Sequence, residues 1–130
     1  MKIGVTGTRK GMNKQQREAI INFLIESKAQ ELHHGDCVGV DVEVAEIAHR
    51  IGYLTVSHPP AKAALRANHN SNFVNESFDY FQRNRNIVDQ TDMLLVVPLQ
   101  NQPQSKGGTW YTHDYAVKQG KPVVIFYPGE

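Results

Sequence analysis

Disulfides, long apolar runs and a dominant charge are all missing from this chain. Cys37 is the only cysteine among 130 residues, so no intrachain disulfide can form, as expected in a reducing compartment. No segment reaches the roughly 20 apolar residues of a membrane span. The first residues, MKIGVTGTRKG, hold no apolar stretch of signal-peptide length. The expectation is a cytoplasmic protein with no membrane partner. Charge is balanced, with 14 Lys and Arg against 13 Asp and Glu and a net charge of +1. That argues against nucleic acid as the partner and requires any basic site to be local. The six histidines, at 33, 34, 49, 58, 69 and 113, lack the spacing of a structural zinc site. Neither a metal nor a cofactor is expected. No repeat or linker interrupts residues 1–130, a length that suits one domain with a real core.

What is present is an alternation of short apolar runs with amphipathic stretches. KIGVT (2–6), ELHH (31–34), YLTVS (53–57), MLLVVP (93–98) and PVVIFY (122–127) read as strands, the fourth as one buried on both faces. Helices are predicted from Asn13, with Asn13 and Gln16 as a capping box, over Val40–Ile51 with Gly52 as its stop, over Asp79–Asp89, and from the GGTWYT segment to near Gly120. Ala61–Ser77 reads as a loop, and the turn-rich Asn68–Asn75 as a mobile part of it. The pattern predicts an α/β, Rossmann-like three-layer sandwich around a five-stranded, mostly parallel sheet of order 3-2-1-4-5. Ligands of such sheets sit at the carboxyl ends of the strands, where the strand order reverses. That point lies between strands one and four.

The loops Gly7–Gly11 and Leu99–Thr109 are predicted to converge on it, joined by the loop after strand two, with a fourth segment close by. Gly7-Thr8-Arg9-Lys10-Gly11 offers backbone amides to an anion, and Arg9 adds a guanidinium fork. Its glycines fit neither the G-x-G-x-x-G pattern nor the P-loop. His34-Gly35-Asp36-Cys37-Val38-Gly39-Val40-Asp41 carries more glycine and aspartate than a turn requires. Asp36 or Asp41 can accept from ribose hydroxyls or act as a general base, while Asp41 is equally suited to an ordinary helix cap. Cys37 reads as a small buried residue. Ser105-Lys106-Gly107-Gly108-Thr109 opens a helix with Thr109 as its natural N-cap and amides facing an anion. Arg83-Asn84-Arg85-Asn86 precedes the fourth strand. A solvated helix face is the ordinary role of such a run, but this one lies close to the switch point.

GVTGTR (4–9), HGDCVGVD (34–41), RNRNIVDQTD (83–92) and GGTWYT (107–112) together resemble the SLOG superfamily. This Rossmann-like group includes DNA-processing protein A and the LOG phosphoribohydrolases, and the chain looks most like its small stand-alone YspA and cpYpsA-related members. The resemblance implies nucleotide binding through Gly7, Thr8, Arg9, Asp36, Gly107, Gly108 and Thr109, with Arg83 or Arg85 at the position of a family arginine. It also implies a homo-oligomer, dimer or higher. The hydrolases of the group keep a catalytic glutamate three residues after the threonine of their glycine loop. Thr112 stands there in this chain, and Asp114 lies two residues further on.

The resulting expectation is a binding protein, a sensor or carrier of a nucleotide or nucleotide-derived ligand, held by Gly7, Thr8, Arg9, Gly35, Asp36, Asp41, Arg83, Asn84, Gly107, Gly108 and Thr109. The rival is an N-glycosidic hydrolase of nucleoside 5′-monophosphates, with Asp36, Asp41 or Asp114 supplying the carboxylate. A nucleic-acid accessory role is a third alternative. Release of free base separates the first two, and salt-steep binding to single strands supports the third.

Overall fold

The computed structural model describes residues 1–129. Six strands, β1 (Lys2–Gly7), β2 (Glu31–His34), β3 (Leu54–Ser57), β4 (Phe73–Val74), β5 (Met93–Val97) and β6 (Val123–Ile125), form one sheet. Every pairing is parallel and the order is β4-β3-β2-β1-β5-β6. The helices are α1 (Lys14–Ser27), α2 (Val40–Ile51), α3 (Tyr80–Asp89) and α4 (Gly108–Lys118). The three-layer α/β architecture is the one expected, and its central order matches the predicted 3-2-1-4-5.

Strand alternation explains the two cores. In β5, Leu95 and Val97 turn to one face, where they join Ile3, Val5, Ile20, Leu24, Val40 and Val44 of β1, α1 and α2. Leu94 and Val96 turn to the other, against Ile87 and Val88 of α3 and Ala116 of α4. A run of five apolar residues is thus required of a strand covered on both faces.

Two expectations need correction. The segment 68–75 is not wholly loop, because it supplies β4, a sixth strand at the edge of the sheet. Polar side chains hold it there: the Asn72 side chain accepts from Thr55 N at 2.9 Å, and Asn75 Nδ2 donates to Ser57 O at 3.2 Å. The second concerns α4, which starts one residue before Thr109. Gly107 is its N-cap and offers no side-chain bond. The Asn13–Gln16 capping box on α1 is present as expected.

Candidate functional site

The loops after β1, β2 and β5 meet at the reversal point. Thr8 N donates to Val97 O at 3.1 Å, tying the first loop to β5, and Val40 N donates to Thr8 O at 3.0 Å, tying it to α2. Gly39, at φ 93°, is pressed so closely on the Arg9 carbonyl that any Cβ would collide with it. Only glycine combines that backbone angle with that approach. Both hydrogen-bonding groups of the Thr8 backbone are therefore committed within the protein. Arg9 behaves differently. It is exposed, and among the described residues no carboxylate pairs with it.

Arg83 is the buried centre of the second loop, with 2% of its surface exposed. A solvated face is the ordinary role for a run such as 83–86, and here Arg83 and Asn84 depart from it. Arg83 Nη1 donates to Gly35 O and, at 3.2 Å, to His58 O; Nη2 lies 3.6 Å from Cys37 Sγ; Nε donates to Asn84 Oδ1 at 2.7 Å. A buried guanidinium is tolerated because these acceptors replace its lost hydration. Arg85 points elsewhere, with Nη1 donating to Tyr111 Oη at 2.7 Å on the outer face of α3.

The two aspartates of the loop also look inward. Asp36 is 1% exposed and sits at φ 52°, a left-handed angle that aspartate tolerates better than most residues. Its carboxylate accepts from His69 N at 2.8 Å and Arg66 Nε at 3.3 Å, so it fastens the 66–69 segment to the end of β2. Asp41 lies within the first turn of α2 rather than capping it, since the N-cap is Gly39. Burial lifts the Asp41 carboxyl to about 6, a rise that the nearby Arg83 charge opposes. The Cys37 thiol is pushed up by burial and then by Asp41. Neighbouring histidines move the other way: burial drives His34 and His58 down to about 3, and lowers His33, whose pair with Glu31 partly offsets the effect. Among the described residues no three His, Cys, Asp or Glu side chains are grouped to hold a metal.

The α4 side is built in the opposite manner. A cleft of about 580 Å³ opens between α3 and α4, walled by Tyr80, Phe81 and Tyr111 and rimmed by Lys106, Gly107 and Gly108. The first amides of α4 have no side-chain cap, whereas α1 and α3 are capped by Asn13 and Asp79. An uncapped helix start beside a lysine is a ready place for an anion. Asp114 lines the same cleft with its side chain 74% exposed. Thr112 does not; it is fully buried and its Oγ1 donates to Gly108 O at 2.8 Å. The structure therefore brings Arg9, Lys106, Gly107, Gly108 and Asp114 to open space, and turns Asp36, Asp41, Arg83 and Thr112 into the protein. It also adds Tyr80, Phe81 and Tyr111 to the wall. Sequence reasoning passed over Tyr80 and Phe81, because two aromatics starting a helix carry no signal of their own.

No family model matches the chain, and no curated protein resembles it in sequence. Solved structures do resemble it. DNA processing protein A from Helicobacter pylori, described for its single-stranded DNA binding mode, superposes with a TM-score of 0.69 and 19% identity over 96% of this chain, which spans 64% of that protein. The molybdenum cofactor binding protein from Rippkaea orientalis superposes at 0.71, with 20% identity over 95% of this chain and 74% of that one. The Moco carrier protein from Chlamydomonas reinhardtii gives 0.71 and 21% identity, over 96% and 75%. The chain shares the Rossmann-like fold of these structures. Of these neighbours, one is described as binding single-stranded DNA and two as binding or carrying a molybdenum cofactor. Among the described residues of this chain, no helix is long and apolar enough to cross a membrane.

Proposed function

We propose that this SLOG-fold chain binds a nucleotide or nucleotide-derived anionic small molecule in the cleft between α3 and α4, as a sensor or carrier. The observation that carries the reading is the uncapped start of α4. It faces a 580 Å³ cleft beside Lys106, with aromatic walls to receive a ring. That volume suits a small molecule. Backbone amides and a lysine favour a phosphate, and the Tyr111 and Phe81 rings, 4.6 Å apart, supply the apolar side. The two fold neighbours described as binding or carrying a molybdenum cofactor support a small-molecule ligand.

The hydrolase reading is weaker because its carboxylates are engaged. Asp36 and Asp41 face protein partners, which leaves Asp114 as the acid of the three that borders the cleft. A thermal-shift panel of nucleotides, matched nucleosides and molybdenum cofactor tests the proposal. A phosphorylated ligand at one hundred times its Kd should add about 2.7 kcal/mol of stability. Equal stabilisation by nucleosides would remove the phosphate from the reading. Release of free base from a bound 5′-monophosphate, lost in Asp114→Asn, would make the chain an enzyme.

A further inference from the structure

Three spaces open at the carboxyl ends of the strands, and a single side chain separates them. The first is the cleft of about 580 Å³ at α4. A second, of about 270 Å³, lies between Arg9, Pro60, Lys62 and Asp79. The third is a small space of about 10 Å³ among Thr6, Cys37, Asp41, Arg83 and Asn84. Tyr80 lines all three, and among the described residues no other does. Its ring is met by two guanidiniums, with Arg83 Cζ 4.9 Å and Arg9 Cζ 5.5 Å from its centroid. Its hydroxyl lies against Gly108, where any Cβ would strike it.

Asn84, which lines the smallest space, carries an unmet donor. Asn84 is 4% exposed, and its amide is oriented by Arg83 Nε, which donates to Oδ1. That leaves Nδ2 buried without an acceptor among the described residues. A buried unpaired amide is costly and rarely kept. The space beside it admits one oxygen-sized group. Two arginines and an unmet amide around an aromatic face, set against the single carboxylate of Asp41, form a seat better suited to an oxyanion than to a ring, since charge-assisted hydrogen bonds exceed cation–π contacts.

We propose that Tyr80 is a displaceable plug. It fills an oxyanion seat between Arg9 and Arg83 in the free protein and swings out when a phosphoryl group enters. The oxygens of that group then take Arg9, Arg83 and Asn84 Nδ2, and the three spaces join into one site. The seat lies next to the α4 amides, so a diphosphate linkage spans both. This rests on the anion-binding reading above and adds the element that controls access.

Inorganic pyrophosphate is the probe. Its binding is measured by calorimetry for wild type, Tyr80→Phe and Tyr80→Ala, with melting curves to confirm folding. Fluorine NMR of 3-fluorotyrosine protein follows the ring, Tyr80→Phe assigning its signal among the five tyrosines. Tyr80→Ala should bind about tenfold tighter than wild type, the effect of releasing two competing cation–π contacts. Tyr80→Phe, which keeps the ring, should match wild type, and pyrophosphate should shift the Tyr80 fluorine signal. Binding by Tyr80→Ala alone also supports the plug. Wild-type binding with an unmoved Tyr80 signal, or weaker binding by Tyr80→Ala, overturns the plug and leaves the anion site standing. No binding by any of the three proteins overturns both.

Discussion

The two sides of the site use similar residues in opposite ways. On the β2 side, Asp36, Asp41 and Arg83 are all under 10% exposed, and the hydrogen bonds around them run to other parts of the chain. On the α4 side, Lys106 and Gly107 are exposed and the helix start has no cap. Charged residues in a glycine-rich loop are thus not a ligand site by composition alone. What matters is whether their partners are already inside the protein. The closed side holds the strand ends together and leaves Asn84 Nδ2 unmet, while the open side has its bonding capacity free for a ligand. Substitutions on the closed side should therefore act first on stability, with Arg83 and Asn84 also touching the oxyanion seat, and those on the open side should act on binding alone.

Arg83→Met should produce the largest effect. It strips the donors from Gly35 O and His58 O and leaves Asp41 buried without a nearby cation. Breaking a buried charged network in this way costs about 3–5 kcal/mol, read as a drop in the urea midpoint at unchanged slope. A loss under about 1 kcal/mol would show that the closed side is not structural.

Acid should come next. His34 and His58, held near 3, bind protons more readily when unfolded, so the stability of their neutral forms is present above about 6.5 and is lost as pH falls below it. At pH 5 each should cost about 2 kcal/mol. Asp41 runs the other way. Its folded carboxyl is raised to about 6, so protonation between about 6 and 4 favours the fold and returns about 1 kcal/mol by pH 5. The net loss from pH 7 to pH 5 should be about 2–3 kcal/mol, and His58→Gln should flatten it. A flat urea midpoint across that range would contradict the buried histidines.

Asp36→Asn separates the two sides more sharply. Asparagine also tolerates the left-handed angle, keeps an acceptor for His69 N and loses the charge facing Arg66. The cost should be about 1–2 kcal/mol of stability with nucleotide affinity unchanged. A binding defect in a protein of normal stability would move Asp36 back to the ligand.

The architecture was legible because β1 and β5 must be apolar on both faces and the intervening helices must not be. Those demands write themselves into KIGVT and MLLVVP. The edge strand was not legible, because Phe73 and Val74 are both exposed and their place is set by the side chains of Asn72 and Asn75 rather than by alternation. Thr109 reads as a cap from residue type alone, yet Gly107 at φ 100° already starts the helix. The 83–86 run reads as polar surface, because a helix pattern does not reveal that the carbonyls of Gly35 and His58, 48 and 25 residues away, wait for a guanidinium. Local rules expose propensity. They do not expose partners brought from afar.

Lys106→Ala should give the smallest change in stability and still be informative. Lys106 is exposed and forms no ion pair among the described residues, so its removal should shift the unfolding free energy by less than about 0.5 kcal/mol. Its ammonium stands at the rim of the α4 cleft, where an arriving phosphate needs a counter-charge. The same variant should lose about 1–3 kcal/mol of affinity for a phosphorylated ligand and almost none for the matched nucleoside. Added salt should weaken the wild type more than the variant, because the screened charge is the one removed. If Lys106→Ala binds as tightly as wild type while Arg83→Met still unfolds more easily, the contrast between the two sides survives as a statement about stability, but the α4 start loses its claim to the phosphate.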